Sequence, residues 1–475
     1  MATGVGQAVG FAGGFAGETR KNMRFIVAAS SAGTIIEWYD FYLYGALAKI
    51  LTPYFTPVTK DPTINLLIFL ATFATGFVVR PFGALVFGRI GDRVGRKYAF
   101  LLTVTIMGGG TAAIGLLPGY ATIGLFALVI LVLLRLLQGL ALGGEYGGAV
   151  IYVAEHAPDN RRGYWTSYIQ TTATIGLFIS IGVVAATQYL LGDTPFKDWG
   201  WRIPFLLSVV LVAVSLIIRW RLKETPLYAR LKAAGRTSRT PLREALASWA
   251  NWKLILLALF GATSGQAVVW YTGQFFAPIF MQNSLGISLA TSNVIMFTAL
   301  VFATPFFLVW GHLSDRIGRK KIIMAGCLLG VVTYYPLYLA MGAFSSPPNV
   351  PVLTALVFVQ VFYVTMAYGP IAAMLVEMFP ARIRYTALSV PYHLGNGEFG
   401  GMTIIIPFLI GALVGNIYAG LIWCVGIPLM TLIVGGLFLK ETKDVRIWEE
   451  VTPGPAFGGA SPPIAAGADV GPTMK

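Results

Sequence analysis

Long apolar segments separated by short polar connections dominate the hydrophobic pattern of this chain. The hydrocarbon core of a bilayer is about 30 Å thick, and an α-helix crosses it in about 20 residues. The pattern predicts twelve such helices, which we number span 1 to span 12 in chain order. Their predicted ranges are 26–51, 65–87, 98–117, 122–150, 164–191, 203–221, 253–281, 288–312, 322–343, 351–376, 386–414 and 417–439. The expected fold class is an all-α membrane protein.

The composition supports this prediction. Of the 475 residues, 56% are hydrophobic and 11% are charged, whereas ordinary soluble domains carry about 25% charged residues. A soluble domain and a disordered chain are therefore excluded. The formal net charge of +14 would by itself suit a nucleic-acid-binding protein, but the positions of the basic residues indicate a different cause.

Lys and Arg concentrate on one side of the predicted spans. With the N-terminus placed in the cytoplasm, all but six of the 34 basic residues fall in the tails, the loops and the adjoining span ends of that side. The exceptions are Lys49, Lys60, Lys197 and Arg202 on the other side, and Arg80 and Arg135 within spans. Basic residues accumulate on the cytoplasmic side of membrane proteins. We therefore expect both termini in the cytoplasm of a bacterial inner membrane, and no nucleic-acid partner.

A basic stretch at 222–251 divides the spans into six and six. It predicts two six-helix bundles, at 24–221 and 252–440, with this stretch as a cytoplasmic linker. Residues 1–23 form a predicted cytoplasmic tail, because they lack the compact apolar core of a cleavable signal. The Gly/Pro/Ala-rich residues 441–475 predict a disordered cytoplasmic tail. We expect a monomer.

Three cytoplasmic elements occur twice, in the same order and at a near-constant offset. Gly-Arg-Ile-Gly-Asp-Arg-Val-Gly-Arg-Lys at 88–97 returns as Gly-His-Leu-Ser-Asp-Arg-Ile-Gly-Arg-Lys at 311–320. The two other pairs are Glu155, Pro158, Arg162 and Ser167 with Glu377, Pro380, Arg384 and Ser389, and Leu-Lys-Glu-Thr at 222–225 with its copy at 439–442. Such a repeat predicts a duplicated six-helix unit with one orientation in the membrane.

The repeated loop resembles the signature loop of the major facilitator superfamily. Within that superfamily, further stretches resemble the metabolite:proton symporters, which include carriers of shikimate, 2-oxoglutarate, citrate, dicarboxylates and proline or betaine. These stretches are Glu37-Trp-Tyr-Asp40-Phe-Tyr-Leu-Tyr44-Gly45, Arg80-Pro-Phe-Gly83, Arg135-Leu-Leu-Gln138-Gly139, Gly144-Glu145-Tyr-Gly-Gly148, Trp199-Gly-Trp201-Arg202-Ile-Pro204-Phe, Glu377-Met-Phe-Pro380, Arg384-Tyr, Gly395-Asn396 and Gly400-Gly401. The resemblance covers about residues 24–445 and implies a major-facilitator fold. One departure is Glu398, where family members usually carry an apolar or aromatic residue.

The resemblance implies that the repeated loop gates the transport cycle. Asp92 can accept N–H groups or positive charge at a helix N-terminus, so such a contact can form in one conformation and break in another. The alternative is a cluster of positive charge that only determines topology. Arg80, Glu145 and Glu377 lie near predicted cytoplasmic span ends and are expected to brace the loop. The expected gating residues are Arg80, Gly88, Asp92, Arg93, Gly95, Arg96, Lys97, Glu145, Asp315, Arg316, Gly318, Arg319 and Glu377.

Charged residues inside the membrane mark a second candidate site. An ionisable group at this depth costs about 2.5–3.5 kcal/mol or more, so it is a functional hypothesis by default. Glu37 and Asp40 are three residues apart on one helical face, which Tyr44 extends. Arg135 lies thirteen residues into span 4 with Gln138 on its face, and spans 1 and 4 of a major-facilitator fold both line the cavity. We expect an acidic proton acceptor, Glu37 or Asp40, beside Arg135 as substrate anchor; the alternative is a structural ion pair.

Polar and aromatic residues of the second half complete the expected substrate site, although interhelical packing explains any single one equally well. The candidates are Gln266, Trp270, Tyr271, Gln274, Tyr363, His393 and Asn396, together with Tyr44 and Gln138 from the first half. His393 is distinctive because an imidazole can titrate. Glu398 either faces a neighbouring helix or is itself a second protonatable site.

The expected function is proton-coupled uptake of a small organic acid by alternating access, with protons and the small-molecule substrate as partners. A zwitterion or osmolyte such as proline or betaine is the alternative substrate, and a proton-coupled antiporter is a third possibility. The sequence contains no nucleophile–base motif, no metal-binding cluster and no P-loop. We therefore expect neither an enzyme nor a pump driven by ATP, and no metal or cofactor.

Overall fold

The fold is known from a computed structural model that describes residues 6–56, 72, 75–220 and 223–449, with backbone only at 6–22, 48–49 and 219. The start of the predicted span 2, Lys60, and most of the predicted C-terminal tail lie outside these residues. Within the described ranges all regular secondary structure is helical, which agrees with the all-α prediction.

The first half, which we define as the described residues up to Trp220, contains spans 1 to 6. Span 1 begins at Gly6, inside the predicted tail, and its helix of 41 residues exceeds the length that a bilayer requires. The helices are Gly6–Ala46 and Ala48–Phe55 (span 1), Arg80–Arg93 (span 2), Arg96–Leu116 (span 3), Tyr120–Ile123, Leu125–His156 (span 4), Asp159–Arg161, Arg162–Gln170 and Thr172–Leu191 (span 5), Asp193–Pro195, Phe196–Gly200 and Arg202–Trp220 (span 6).

The second half, which we define as the residues from Trp249 onward, contains spans 7 to 12. The helices are Trp249–Ala258, Leu259–Thr263, Ser264–Tyr271, Thr272–Phe276 and Ala277–Asn283 (span 7), Leu289–Ala303 and Pro305–Ile317 (span 8), Arg319–Ala343 (span 9), Val350–Tyr368 and Ile371–Met378 (span 10), Arg384–His393, Leu394–Gly400 and Ile406–Val414 (span 11) and Leu421–Phe438 (span 12). Two short helices, Pro226–Ala233 and Pro241–Ala247, lie in the predicted linker. The division into two bundles at 222–251 stays a prediction.

Eight helices of the described ranges are long and apolar enough to cross a membrane, and a ninth is obtained if span 6 is counted with the bent segment before it. These correspond to spans 3, 4, 5, 7, 8, 9, 10 and 12, with span 6 as the ninth. Span 2 is described only in part, and span 11 is interrupted. The count of twelve therefore stays a prediction.

Spans 7 and 11 contain π-helical turns. Span 7 has two, Leu259–Thr263 and Thr272–Phe276, and span 11 has a longer one, Leu394–Gly400. A π-turn inserts a residue into the helix and is frequent at functional sites. Four glycines between Gly395 and Gly401 accompany the turn in span 11.

The two halves pack against each other most closely at one end of the molecule, which we call the loop side because both copies of the repeated loop lie there. Span 2 packs on the start of span 11, and span 8 packs on the start of span 5. Glycines permit this approach: a Cβ at Gly88 would lie 2.8 Å from the Thr386 Cα, and one at Gly311 would lie 2.5 Å from the Ser167 Cβ.

Candidate functional site

Asp92 joins the two halves on the loop side. It stands near the end of span 2, and its carboxylate accepts the N–H groups of Tyr385 (3.2 Å) and Thr386 (2.9 Å) at the start of span 11. It also accepts the Thr386 hydroxyl (2.9 Å) and forms an ion pair with Arg96 (2.7 Å). A carboxylate of the first half therefore caps a helix of the second half, where the helix dipole favours negative charge.

Asp315 makes the corresponding contacts in the opposite direction. Its carboxylate accepts the N–H groups of Gly163 (2.8 Å) and Tyr164 (2.9 Å) at the start of span 5, and it forms an ion pair with Arg319 (2.7 Å). The sequence repeat thus becomes a pair of reciprocal contacts between the halves, in which each loop caps a helix of the other half.

A second carboxylate supports each of these contacts. Glu155 lies 3.1 Å from Arg384 and 3.7 Å from Arg96, and it accepts the Thr225 hydroxyl at 2.5 Å. Its counterpart, Glu377, has the corresponding partners: Arg162 at 2.7 Å, Arg319 at 3.1 Å and the Thr442 hydroxyl at 2.6 Å. We call the group of Asp92, Arg96, Glu155 and Arg384 with Asp315, Arg319, Glu377 and Arg162 the latch.

The Leu-Lys-Glu-Thr repeat explains the glycines of the loop. The Glu224 carboxylate accepts the N–H groups of Arg96 (3.2 Å) and Lys97 (3.4 Å) at the start of span 3. A Cβ at Gly95 would lie 2.3 Å from that carboxylate, and Gly95 also has φ of +146°, which side chains rarely adopt. In the second copy of the loop, Gly318 has φ of +116°, and a Cβ there would collide with the Glu441 carboxylate. That carboxylate accepts a backbone N–H at the start of span 9.

The other predicted gating residues do not all join the latch. Arg93 and Arg316 are exposed, and the Lys97 ammonium bonds the Trp220 carbonyl. Two placements are wrong. Span 2 continues to Arg93, so Arg80 lies about 18 Å along the helix from Asp92.

Glu145 is the second wrong placement. Span 4 continues to His156, about 16 Å beyond Glu145, and the Glu145 carboxylate accepts the Thr103 hydroxyl of span 3 at 2.6 Å. The polar residues near the ends of spans 2 and 4 look like loop in the sequence, and the predicted spans therefore ended too early.

Sequence reasoning found the repeat but assigned no role to several latch residues. The sequence identifies these residues only as matched positions of the repeat: Glu155, Arg162 and Arg384, with the capping residues Glu224 and Glu441. The constant spacing between the two copies of the repeat is the signal that identifies these residues. Glu377 is an expected gating residue, and Glu155 occupies the matching position in the first half.

Inside the first half, Asp40 and Arg135 form a buried ion pair of 3.6 Å. The Asp40 carboxylate also accepts the Gln138 amide at 2.9 Å, and this amide bonds the Thr111 hydroxyl at 2.9 Å. The Arg135 guanidinium lies 3.5 Å from the centre of the Tyr44 ring. The expected approach of Asp40 and Arg135 is present, and these partners all belong to spans 1, 3 and 4 of the first half.

Glu37 has different surroundings from Asp40, although the two share a helical face. It is 7% exposed, and it lies near four tyrosines at the boundary between the halves, Tyr146, Tyr271, Tyr368 and Tyr392. Tyr146 and Tyr392 stack at 3.6 Å with their ring planes 3° apart, and the hydroxyls of Tyr368 and Tyr392 lie 2.8 Å apart.

The second-half candidates do not all lie at one place: Trp270 contacts the first half, whereas Tyr363 packs inside the second half. Gln266 and Asn396 exchange amide contacts at 3.5 Å, and Trp270 packs 5.0 Å from Trp38 of span 1. Tyr363 instead lies 6.4 Å from Tyr334, within the second half. The sequence reasoning missed Trp38.

Three predicted site residues of the second half have buried polar atoms without a hydrogen-bond partner among the described residues, and one of them is Trp270 with its indole Nε1. Both ring nitrogens of His393 and both amide atoms of Gln274 are in this state. His393 is 2% exposed and Gln274 is 6% exposed. Unpaired buried polar groups are costly, and in a native structure they call for an explanation such as a ligand.

Arg80 faces the second half from span 2. Its guanidinium carbon lies 4.4 Å from the centre of the Phe77 ring, and its charge acts on Tyr271, His393 and Glu398. Arg80 is 6% exposed. The structure thus places a cation of the first half opposite polar groups of spans 7 and 11.

Comparison with known proteins gives a consistent result. Residues 25–253 match the family described as "Sugar (and other) transporter", and residues 259–461 match the "Major Facilitator Superfamily". The "Alpha-ketoglutarate permease" of Escherichia coli (strain K12) is 35% identical over 81% of this chain and 86% of its own length. The "Glycine betaine/proline/ectoine/pipecolic acid transporter OusA" of Dickeya dadantii (strain 3937) is 31% identical over 89% of this chain and 84% of its own length.

Among solved structures, the proton:xylose symporter XylE bound to 6-bromo-6-deoxy-D-glucose has the same fold. The TM-score is 0.75, the alignment covers 91% of this chain and 99% of that chain, and the sequence identity is 17%. At this identity the likeness concerns the fold alone.

Proposed function

This chain belongs to the major facilitator superfamily of membrane transporters, and from that premise we propose that it imports a small organic acid together with a proton. The protein is an integral membrane transporter and not an enzyme. The proposal concerns the substrate and the coupling ion. A permease named for a dicarboxylic acid is 35% identical to the chain, which supports an organic acid as the substrate.

The observation that carries the coupling proposal is the ion pair of Asp40 and Arg135, 3.6 Å apart and buried in the first half. A carboxylate can be neutralised by a proton, whereas a guanidinium keeps its charge. Protonation of Asp40 therefore ends the ion pair and leaves a buried cation. A substrate carboxylate that approaches Arg135 compensates that cation, so proton and anion are favoured together.

The latch supplies the conformational step. Its contacts are made when the loop side is closed, and they must break for the halves to separate there. Because Asp92 and Asp315 each cap a helix of the opposite half, both contacts are lost together. The proposed cycle binds proton and substrate with the loop side closed, opens the loop side, and releases both.

We propose that the loop side is cytoplasmic and that the membrane is the bacterial inner membrane. The distribution of Lys and Arg supports this orientation, and the loop side carries the basic residues of both repeated loops. Cytoplasmic opening then corresponds to uptake along the inward proton gradient.

A zwitterion is the second candidate substrate, and one observation favours it. Trp38 and Trp270 pack 5.0 Å apart in the region where Glu37 acts on Tyr271 and Tyr368. Aromatic faces beside a carboxylate attract an organic cation. The relative named for glycine betaine and proline supports this alternative.

Proteoliposome uptake separates these possibilities. Reconstituted protein is given labelled 2-oxoglutarate, citrate, shikimate or glycine betaine, with the internal pH equal to or above the external pH. We expect accumulation of an organic acid only with the pH difference, and loss of that accumulation in Asp40→Asn. Accumulation that is unaffected by the pH difference would refute proton coupling, and accumulation of glycine betaine alone would select the zwitterion.

A further inference from the structure

Arg80 is a buried cation that forms no ion pair among the described residues. No carboxylate of the described residues lies within 4 Å of its nitrogens, and its Nε is buried without a hydrogen-bond partner. Burial of an unpaired charge is costly. By contrast, the other intramembrane guanidinium, Arg135, has Asp40 at 3.6 Å. Arg80 has Phe77, Tyr271 and Glu398 near it, but no carboxylate of the described residues within ion-pair distance, so an anion can still bind to it directly.

The position of Arg80 lies between the latch and the Asp40–Arg135 pair. A Cβ at Gly143 of span 4 would lie 2.3 Å from the Arg80 carbonyl oxygen, so Arg80 is level with Gly143. Gly143 is eight residues, or about 12 Å, from Arg135 along the helix. The side chain turns toward Phe77, one turn nearer the level of Arg135. Arg80 is thus a separate cation close to mid-depth.

The surroundings of Arg80 come from both halves. A Cβ at Gly397 would lie 3.3 Å from the Phe77 carbonyl oxygen, and one at Gly401 would lie 3.4 Å from the Phe77 ring. The π-turn of span 11 therefore packs directly on the start of span 2. It carries Glu398, and His393 precedes it in the chain.

His393 is the second unsatisfied group at this place. Its ring is 2% exposed and both of its nitrogens lack a partner among the described residues. It directly precedes the π-turn whose Gly397 packs against the Phe77 backbone, beside Arg80. An imidazole N–H and a guanidinium fork are donors that suit the two oxygens of a carboxylate. The Arg80 Nε and the His393 ring, which come from opposite halves, are thus two buried polar groups without a hydrogen-bond partner among the described residues.

We infer that Arg80, with His393 opposite it, is the anchor for the carboxylate of the transported substrate at the boundary between the halves. This inference rests on the proposed function and deepens it, because it assigns the main contact with the substrate carboxylate to Arg80 and not to Arg135. A ligand held between the two halves links their movements, since its carboxylate contacts both. Glu398 sets the charge of the site: its carboxylate repels the substrate anion and limits affinity.

Binding by purified protein tests this inference without requiring transport. The probes are labelled 2-oxoglutarate, citrate and shikimate, each with its neutral amide as a control ligand. We expect Arg80→Gln to weaken carboxylate binding by roughly 10- to 100-fold, as the loss of a charge-assisted bond implies, with Arg80→Lys intermediate because it keeps the charge but not the fork. Binding of the amides should change little.

Thermal stability distinguishes an anchor from a structural cation. Arg80→Gln removes an uncompensated buried charge, so the ligand-free protein should be equally stable or more stable. Arg202→Gln is the control, because that guanidinium donates to the Gly115 carbonyl at 2.5 Å and to the Tyr54 hydroxyl at 2.7 Å. Loss of the Arg202 guanidinium should therefore lower thermal stability and leave carboxylate binding unchanged. Lower stability of Arg80→Gln with unchanged binding would overturn the inference.

Glu398→Gln provides an independent test of the carboxylate site if Arg80→Gln does not fold. Removal of the repelling carboxylate is expected to tighten carboxylate binding severalfold, and unchanged or weaker binding would overturn the inference. Failure of the proposed function has a different signature. If carboxylates bind through Arg80 but a pH difference does not drive their accumulation, proton coupling is wrong and the anchor stands. If wild-type protein binds none of the carboxylates, the anchor is wrong.

Discussion

The latch allows a quantitative prediction for Asp92→Asn. The Asp92 carboxylate accepts three hydrogen bonds from Tyr385 and Thr386 of the opposite half, at 2.9–3.2 Å. Asparagine has almost the same shape, but it carries no charge and its amide nitrogen accepts nothing. Charge-assisted hydrogen bonds contribute about 1.5–3 kcal/mol, against about 0.5–1.5 kcal/mol for neutral ones. We estimate that the substitution weakens the closed loop side by about 2–3 kcal/mol.

That loss corresponds to a roughly 30- to 150-fold shift of the equilibrium toward the state with the loop side open. Arg96 keeps partners after the substitution, because it bonds the carbonyls of Ala381 (2.7 Å) and Gly91 (3.0 Å) and lies 3.7 Å from Glu155. The variant is therefore expected to fold and to shift conformation, with little change in substrate affinity.

The assay is a distance distribution between two spin labels on the loop side, measured by pulsed electron paramagnetic resonance. Val94 in the first half and Ile317 in the second are both exposed and outside the latch, so labels there report separation of the halves. We expect a longer distance to gain population in Asp92→Asn.

Arg316→Gln serves as the matched control, because Arg316 belongs to the repeated loop but is exposed. Its distance distribution should equal that of wild type. An unchanged distribution in Asp92→Asn, in a folded protein that still binds substrate, would refute the assignment of the latch. Loss of substrate binding with a normal distance change would refute its separation from the substrate site.

Four further predictions follow from the same contacts. Asp315→Asn should shift the loop-side distance by an amount similar to Asp92→Asn, because its capping contacts are equivalent; no shift would contradict the reciprocal arrangement. Asp40→Asn should abolish accumulation driven by a pH difference while counterflow survives, whereas Glu37→Gln should matter less, because the proposed coupling step is the protonation of the Asp40–Arg135 ion pair; wild-type accumulation in both variants would move the proton site elsewhere. Arg135→Lys should also transport poorly, measured as reduced accumulation, because lysine lacks the guanidinium fork. A cysteine at the exposed position of Arg239 should react with an impermeant reagent only in permeabilised cells, and labelling in intact cells would overturn the orientation.

The sequence alone determined the class of the protein. Apolar segments of about 20 residues are enough to predict membrane helices, because the bilayer imposes their length. The duplication of the six-helix unit can be predicted from the sequence, because the loop that contains Asp92 recurs with the same spacing around Asp315. Family membership followed from motifs that are local in the chain, and the comparisons confirmed it.

The tertiary structure decided which partner each charged residue meets. Glu37 and Asp40 are both candidates on one helical face, and the packing of spans 1 and 4 places Asp40 3.6 Å from Arg135. Likewise, the repeat identifies Glu155 and Arg384 as matched positions, but only the packing of two halves shows that they bind each other across the boundary.

Arg80 shows most clearly what remained for the tertiary structure to decide. The sequence places it near the predicted end of span 2 and so beside the loop. The helix continues to Arg93, and the side chain turns back toward Phe77 and the second half. Hydropathy does not detect this, because a helix end and the direction of a long side chain depend on neighbouring helices that are distant in the chain. Membrane thickness constrains the number and length of spans, whereas contacts between spans determine what each polar side chain does.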